Sequence, residues 1–175
     1  EQGVPFVFRC INRLDRDTTG ALILAKNPLS AAILSVQMKK RQILRTYLAL
    51  VDGLLPDSGT INAPIARMEG SVITREVNFG TGESAITHYE RLAAGKEYSL
   101  AELHLETGRT HQIRVHMKYI GHPLPGDYLY NPDYRRINRQ PLHSYQLEFT
   151  HPITGKVMLF TAPLPIDFIS AFSPA

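Results

Sequence analysis

Residues 12–27 read NRLDRDTTGALILAKN, a charged turn that runs straight into an apolar segment and then into a helix start. Asp15 lies between Arg13 and Arg16, ahead of Thr18-Thr19-Gly20 and the continuous apolar run Ala21–Ala25. A run of that length without alternation predicts a central strand buried on both faces. Asn27 and Pro28 then supply an N-cap and a proline at the first helical position. The stretch thus sets a carboxylate just before a buried strand, and loops fixed to a rigid sheet are where catalytic groups tend to sit. Cations on both sides favour the ionised carboxylate, which suits a nucleophile or charge stabiliser rather than a general acid. The competing reading is a plain charged turn in which Asp17 and Thr18 bond to local backbone. The segment alone leaves both readings open.

Outward from this stretch, Leu29, Ile33 and Val36 recur at helical spacing and predict an amphipathic helix ending in the basic Lys39–Arg41. Ile43–Val51 alternates as a strand, with Leu44, Leu48 and Leu50 on one face and Arg45 and Tyr47 on the other. Residues 53–82 are rich in Gly, Pro and short β-like pieces and carry no recognisable motif. Strands are expected at Ser84–Arg91 and Tyr98–Glu106, the second alternating Ala101, Leu103 and Leu105 with Glu102, His104 and Glu106. Thr110 is placed to cap a helix running to Ile120, with Ile113, Met117 and Ile120 buried and Gly121 as the stop. A loop from His122 to Pro141 leads to a strand in which Tyr145, Leu147 and Phe149 alternate with polar residues. The turn HPITGK then returns the chain along Val157–Thr161. The pattern is an α+β domain, a mainly antiparallel mixed sheet with a few flanking helices.

At 175 residues, with 43% hydrophobic and 20% charged residues, the chain can bury one domain core. No apolar stretch reaches transmembrane length, so no membrane partner is expected. The single cysteine, Cys10, excludes an internal disulfide and paired-cysteine zinc sites, and it suits a reducing, cytoplasmic compartment. The net charge of +3 hints only mildly at a polyanion. Its distribution says more: Thr107–Gly126 has no acidic residue but contains Arg109, Arg114 and Lys118 with His111, His116 and His122. Lys39, Lys40, Arg41 and Arg45 form a second cluster, and Arg135, Arg136 and Arg139 a third. The chain opens on Glu1, so it is expected to be an excerpt of a longer protein.

Two more stretches carry chemistry. In TGRTHQIRVH, residues 107–116, His111 and His116 are five apart, unlike the i, i+4 histidines of a zinc helix, and no further ligand completes a metal site. A loop opening a helix, with Arg109 at its start and Arg114 one turn in, instead suits a phosphate. An amphipathic helix with a basic solvent face is the alternative. In LRTYLALVDG, residues 44–53, Tyr47 is either a half-buried sheet tyrosine or a ring offered to a nucleobase.

Together these stretches resemble the RluA-type pseudouridine synthases. NRLDRDTTGALILAKN looks like the family's catalytic motif, RTYLALVDG its tyrosine motif, LETGRTHQIRVHMKYIGHPLPGD its arginine motif and PLHSYQLEFTHPITGK its final Leu-His motif. The four occur in the family's order, from residue 9 to about residue 163. Asn12 stands where the family usually has His, and Thr19 where Ser is common. Only eight residues precede Arg9, so the family's upstream strands are expected to lie outside a catalytic domain spanning residues 1–175.

The resemblance implies the pseudouridine synthase catalytic fold and these roles. Asp15 is the catalytic aspartate, Arg114 its partner, and Tyr47 contacts the target base. Leu142 packs against that base, Arg13 occupies the gap left by the extruded nucleotide, and Arg16, Arg109, His111 and Lys118 bind substrate. The expected reaction is isomerisation of uridine to pseudouridine in ribosomal or transfer RNA, with large-subunit ribosomal RNA the leading partner, by a monomer that needs no metal, nucleotide or redox cofactor. Addition of Asp15 to the base, attack on C1′, and removal of a ribose proton to give a glycal are all compatible with that position. The competing functions are a non-catalytic RNA-binding or ribosome-assembly module, for which the trio Asp15, Tyr47 and Arg114 would be superfluous, and a nucleoside hydrolase or base glycosylase, which would release free uracil.

Overall fold

Asn27 opens the first helix as its sequence predicts: in the computed structural model, which describes residue 7 and residues 9–172, Asn27 Oδ1 accepts the Ser30 N–H at 2.8 Å. Helix α1 spans Pro28–Lys39. It ends with Arg41 in the left-handed region (φ 58°), while the Arg41 and Gln42 N–H groups return to the Met38 and Gln37 carbonyls. The buried stripe is Ser30, Leu34 and Gln37, not the predicted Leu29, Ile33 and Val36. Leu29 is 62% exposed and Val36 49%. Gln37 can face inward because its Nε2 donates to the Thr150 carbonyl at 2.9 Å, which satisfies a buried amide and ties the helix to the sheet.

Ala21–Ala25 is not a central strand. Strand β1 (Arg9–Cys10) pairs antiparallel with β3 (Leu24–Ala25) in a two-stranded ribbon, and β2 (Thr19–Gly20) runs parallel to a later strand of the main sheet. Ile23 and Ala25 are buried with Leu34, Ile43 and Leu147, whereas Leu22 and Leu24 are exposed. The run therefore behaves as a half-buried segment of period two, which an unbroken apolar composition conceals.

The main sheet is built from β4 (Leu44–Asp52), β5 (Ser58–Asn62), β8 (Ile86–Ala94), β9 (Tyr98–Leu105), β10 (Leu142–Thr150) and β11 (Val157–Thr161). Its order is β11-β10-β4-β9-β8-β5, all antiparallel, with β2 alongside β10 as the parallel member. The stretch without a motif contributes β5 and a separate hairpin of β6 (Ile65–Arg67) and β7 (Arg75–Val77). β4 lies at the centre, and both of its faces are core. Tyr47, Ala49 and Val51 pack with Ala101, Leu103 and Leu142 beneath helix α2 (Gln112–Tyr119). Leu48 and Leu50 pack under Phe168 and Ala171 of α3 (Ile166–Phe172). Each such large side chain contributes about 1.5–3 kcal/mol of burial. The predicted polar face of β4 is thus polar only near its start, and Leu44, assigned to the core, is 57% exposed.

Thr110 does not cap α2. His111 occupies the N-cap in the left-handed region, without a side-chain cap. Gln112 instead folds back from the first turn onto the preceding loop, its Oε1 accepting the Arg109 N–H at 3.0 Å and the Thr107 hydroxyl at 2.8 Å. From the same residue a polar chain crosses the core. Gln112 Nε2 donates to Thr87 Oγ1, and His116 is flanked by Thr87 Oγ1 at 2.9 Å and the Ala63 carbonyl at 2.8 Å. Since a carbonyl only accepts, His116 Nε2 carries the proton and Nδ1 accepts from Thr87. Burial holds His116 below its ordinary value, against the opposing Ala63 hydrogen bond, so it stays neutral in the core. This chain fixes the rotation of α2 and so the direction in which Arg114 points.

Candidate active site

The turn that carries Asp15 is clamped from the segment entering β10. The Thr18 N–H closes the turn onto the Asp15 carbonyl at 3.0 Å, and Asp17 takes a positive φ of 68°. Gln140 Nε2 donates to the Arg16 carbonyl, and Arg139 Nη1 to the Asp17 carbonyl at 3.2 Å. Thr19 Oγ1 meets His143 Nδ1 at 2.8 Å, and His143 Nε2 donates to the Ala162 carbonyl at 3.2 Å, so the threonine hydroxyl is the donor of the first pair. Gly20 closes the clamp. Its φ is 111°, and a Cβ there would lie 2.2 Å from the Ser144 carbonyl oxygen. On the far side Asn12 Oδ1 accepts the Ile23 N–H at 2.9 Å, pinning the turn to the β1–β3 ribbon.

Across from the turn, Arg114 is the largest fully buried side chain, with 1% of it exposed. Its Nη1 lies 3.3 Å from Asp15 Oδ2. The other edge of the guanidinium forks onto Asp127, Nε to Oδ2 at 2.6 Å and Nη2 to Oδ1 at 2.7 Å. Burial alone would lower Arg114, but the hydrogen bonds and charge of Asp127, followed by Asp15, outweigh it and hold the guanidinium above its ordinary value. The rings of Tyr128 and Tyr130 lie 5.5 and 5.0 Å from its central carbon. Asp127 Oδ1 also accepts the N–H groups of Leu129 and Tyr130, so one carboxylate shapes the loop and aims the arginine.

Sequence reasoning gave Asp127 no role, although it closes the quoted arginine motif. The available signal was Gly126 beside it. With φ 69°, a Cβ at Gly126 would lie 2.5 Å from the Ile137 carbonyl oxygen, so only glycine fits there.

Between the turn and α2 opens a cleft of about 700 Å³ lined by Arg13, Asp15, Tyr47, Arg109, His111 and Leu142 among others. Tyr47 and Leu142 form its apolar floor, each about 5% exposed or less. Burial raises the Tyr47 phenol, opposed by Arg45 and reinforced by Asp15, so it stays protonated. His111 Nδ1 meets the Tyr130 hydroxyl at 2.9 Å, and burial lowers this imidazole, with Asp15 opposing and Arg114 assisting. Burial pushes the Tyr130 phenol up to about 12.

Not every predicted contact reaches the cleft. Arg109 lines it but also pairs with Glu83. Arg16 lies off its lining, paired with Asp17 at 3.4 Å and 5.1 Å from the Tyr128 ring centre. Lys118 is also outside it, over Tyr130 at 5.7 Å. Of the three basic clusters, Lys39, Arg41 and Arg45 line the cleft. Arg135, Arg136 and Arg139 are instead taken up by Asp133, Glu97 and Asp167. Among the described residues no three His, Cys, Asp or Glu side chains gather as metal ligands.

A family model described as RNA pseudouridylate synthase matches residues 1–119, a span that contains Asp15, Tyr47 and Arg114. The chain belongs to the RNA pseudouridylate synthase family.

Among relatives of this family, the uncharacterized RNA pseudouridine synthase YhcT of Bacillus subtilis is 46% identical over 162 residues, covering 91% of this chain and 53% of the relative. The ribosomal large subunit pseudouridine synthase D of Nitrosomonas europaea is 45% identical over 166 residues, covering 90% and 48%. The chain thus spans about half the length of these curated relatives. Among solved structures, human RNA pseudouridylate synthase domain containing 1 superposes with a TM-score of 0.82 at 31% identity, covering 97% of this chain and 75% of that one. The α+β fold and the RluA-type resemblance of the four motifs agree with these matches.

Proposed function

We propose that this chain is the catalytic domain of an RNA pseudouridine synthase that isomerises uridine in large-subunit ribosomal RNA. The observation that carries the reading is the buried Arg114 guanidinium, held by Asp127 and presented to Asp15 at 3.3 Å above an apolar floor of Tyr47 and Leu142. A carboxylate beside a fixed positive charge, facing a slot with an aromatic wall, suits a reaction on a flat, neutral base.

The target uridine must leave its stack to reach Asp15, at a cost of a few kcal/mol, least for an unpaired base. Arg13, an exposed residue of the cleft lining, would fill the gap left behind. Tyr47 and Leu142 receive the uracil. Asp15 acts while the N1–C1′ bond breaks, the base turns within the closed floor, and the C5–C1′ bond forms. The proton on C5 is lost and N1 gains one, so atoms balance and the RNA mass is unchanged. Arg114, kept protonated by two carboxylates, holds a positive charge beside Asp15 throughout. The ribosomal substrate is supported by relatives named large-subunit synthases. Pseudouridine maps of cellular RNA from a deletion strain and its parent test the proposal. Loss of one or more large-subunit sites is expected, and identical maps would overturn it.

A further inference from the structure

The hairpin of β6 and β7 pairs Arg67 directly with Arg75, two like charges placed opposite one another on neighbouring strands. Such a pair works against the hairpin when nothing lies between the side chains. Both arginines line a second, polar cavity of about 500 Å³ with Arg109, Thr81, Thr110 and Glu83. Three guanidinium groups there face one carboxylate, which Arg109 already engages. Arg75 is held in place, with Nη1 donating to the Ile73 and Thr74 carbonyls at 3.1 Å and its own N–H bonded to the Tyr130 hydroxyl at 2.9 Å. The Arg67 side chain is exposed and makes no hydrogen bond or ion pair with any described residue. This second cavity and the Asp15 cleft share Gly108, Arg109 and Thr110 in their walls, so the two are neighbours.

We infer that Arg67 and Arg75, with Arg109, form a phosphate-binding site that receives a backbone phosphodiester of the RNA whose uridine enters the Asp15 cleft. The inference rests on the RNA substrate proposed above. An anion between Arg67 and Arg75 turns a repulsive cross-strand pair into a two-armed clamp, since guanidinium groups bind phosphate oxygens in a fork. The same anion would reach Arg109, whose Nε and Nη1 are occupied by the Ser84 carbonyl and Glu83 while the rest of the group stays at the cavity wall. Tyr130 links the two cavities, because its hydroxyl meets both the Arg75 N–H and His111 while its ring lies against Arg114. The clamp is thereby held at a fixed offset from the reacting base, which is what a contact that sets RNA register requires.

The test compares the full-length protein with its Arg67→Gln/Arg75→Gln variant, both carrying Asp15→Asn so that binding is read without turnover. The probe is an unmodified large-subunit ribosomal RNA transcript, titrated over a range of salt. One lost phosphate contact removes about 0.7–0.9 from the slope of log affinity against log salt, and a fall of that size is expected. In a separate arm, inorganic phosphate should raise the Tm of the unaltered protein and fail to raise that of the variant. In phosphate-free buffer Arg67→Gln alone should melt no lower than the unaltered protein, because it removes a repulsion and no contact. An unchanged RNA salt slope overturns the inference, including where the phosphate effect on Tm disappears, since the site would then take a free anion and not the RNA. Pseudouridine formation by the protein with Asp15 intact, measured alongside, separates this failure from a failure of the proposed activity.

Discussion

Replacing Asp127 by asparagine removes one charge from a site with no solvent to compensate for it. Asp127 is fully buried, and Arg114 is 1% exposed. The substitution keeps the volume and leaves an oxygen able to accept from Leu129 and Tyr130, so the loop retains its caps. It does turn an amide N–H toward Arg114 Nε–H, placing donor against donor where a 2.6 Å ion pair stood. The guanidinium keeps the Nη2 hydrogen bond to the remaining oxygen, and Asp15, at 3.3 Å, is the carboxylate left to balance its charge. Breaking a buried pair by removing one partner costs about 3–5 kcal/mol. At about 2–4 °C per kcal/mol for a domain of this size, Tm should fall by about 6–20 °C. Thermal unfolding monitored by circular dichroism reads this directly. The informative comparison is the double variant Asp127→Asn/Arg114→Met, which removes the stranded charge and should melt higher than Asp127→Asn alone. A double variant that loses the sum of the two single effects, or an Asp127→Asn protein within about 2 °C of the original, would refute the argument that this carboxylate stabilises by neutralising Arg114.

Arg114→Met should lower the turnover rate by about 10²-fold or more while RNA affinity changes far less, measured at a temperature where the variant is folded; equal losses in both would make Arg114 a phosphate contact. Gly20→Ala forces a side chain against Ser144 at a φ of 111°, so stability should drop by at least about 2 kcal/mol in chemical denaturation. A neutral effect would mean that the turn is not clamped to β10 as described. His111, His116 and His143 all lie below their ordinary values because they are buried. The unfolded chain takes up these protons near pH 6.5 and the folded chain only at lower pH. Their stabilising contribution is therefore complete above about pH 7 and is lost as pH falls through 6. Tm should decline from pH 7 to pH 5, less steeply in His116→Gln, and a flat profile would contradict the neutral core histidine.

The sequence was most informative where local chemistry decides local structure. Asn27-Pro28 capped the helix it was expected to cap, the alternation of β9 and the HPITGK turn were placed correctly, and the four motifs brought Asp15, Tyr47 and Leu142 to one cleft with Arg114 buried against Asp15. It was least informative where a distant partner decides. Gln37 turned the polar side of α1 inward because the Thr150 carbonyl was there to receive it. Gln112, not Thr110, ties the start of α2 to its loop, by folding back on Arg109. Ala21–Ala25 split into exposed and buried alternation because only a ribbon and one parallel bridge flank it. Asp127 was hidden for the same reason. A single carboxylate in a loop has no period and no spacing rule; Gly126 beside it marks only a constrained turn, and the carboxylate's partner is seen when Arg114 lies across it.

The central claim is that Asp15 carries the isomerisation, and it is tested most directly by one substitution in the full-length protein. Asp15→Asn keeps the size of the side chain and one acceptor oxygen, and removes the charge that faces Arg114. A strain lacking the native protein and supplied with this variant should bind RNA as before and lack the pseudouridine that the unaltered protein restores. Restoration of that pseudouridine by the Asp15→Asn variant would contradict the account.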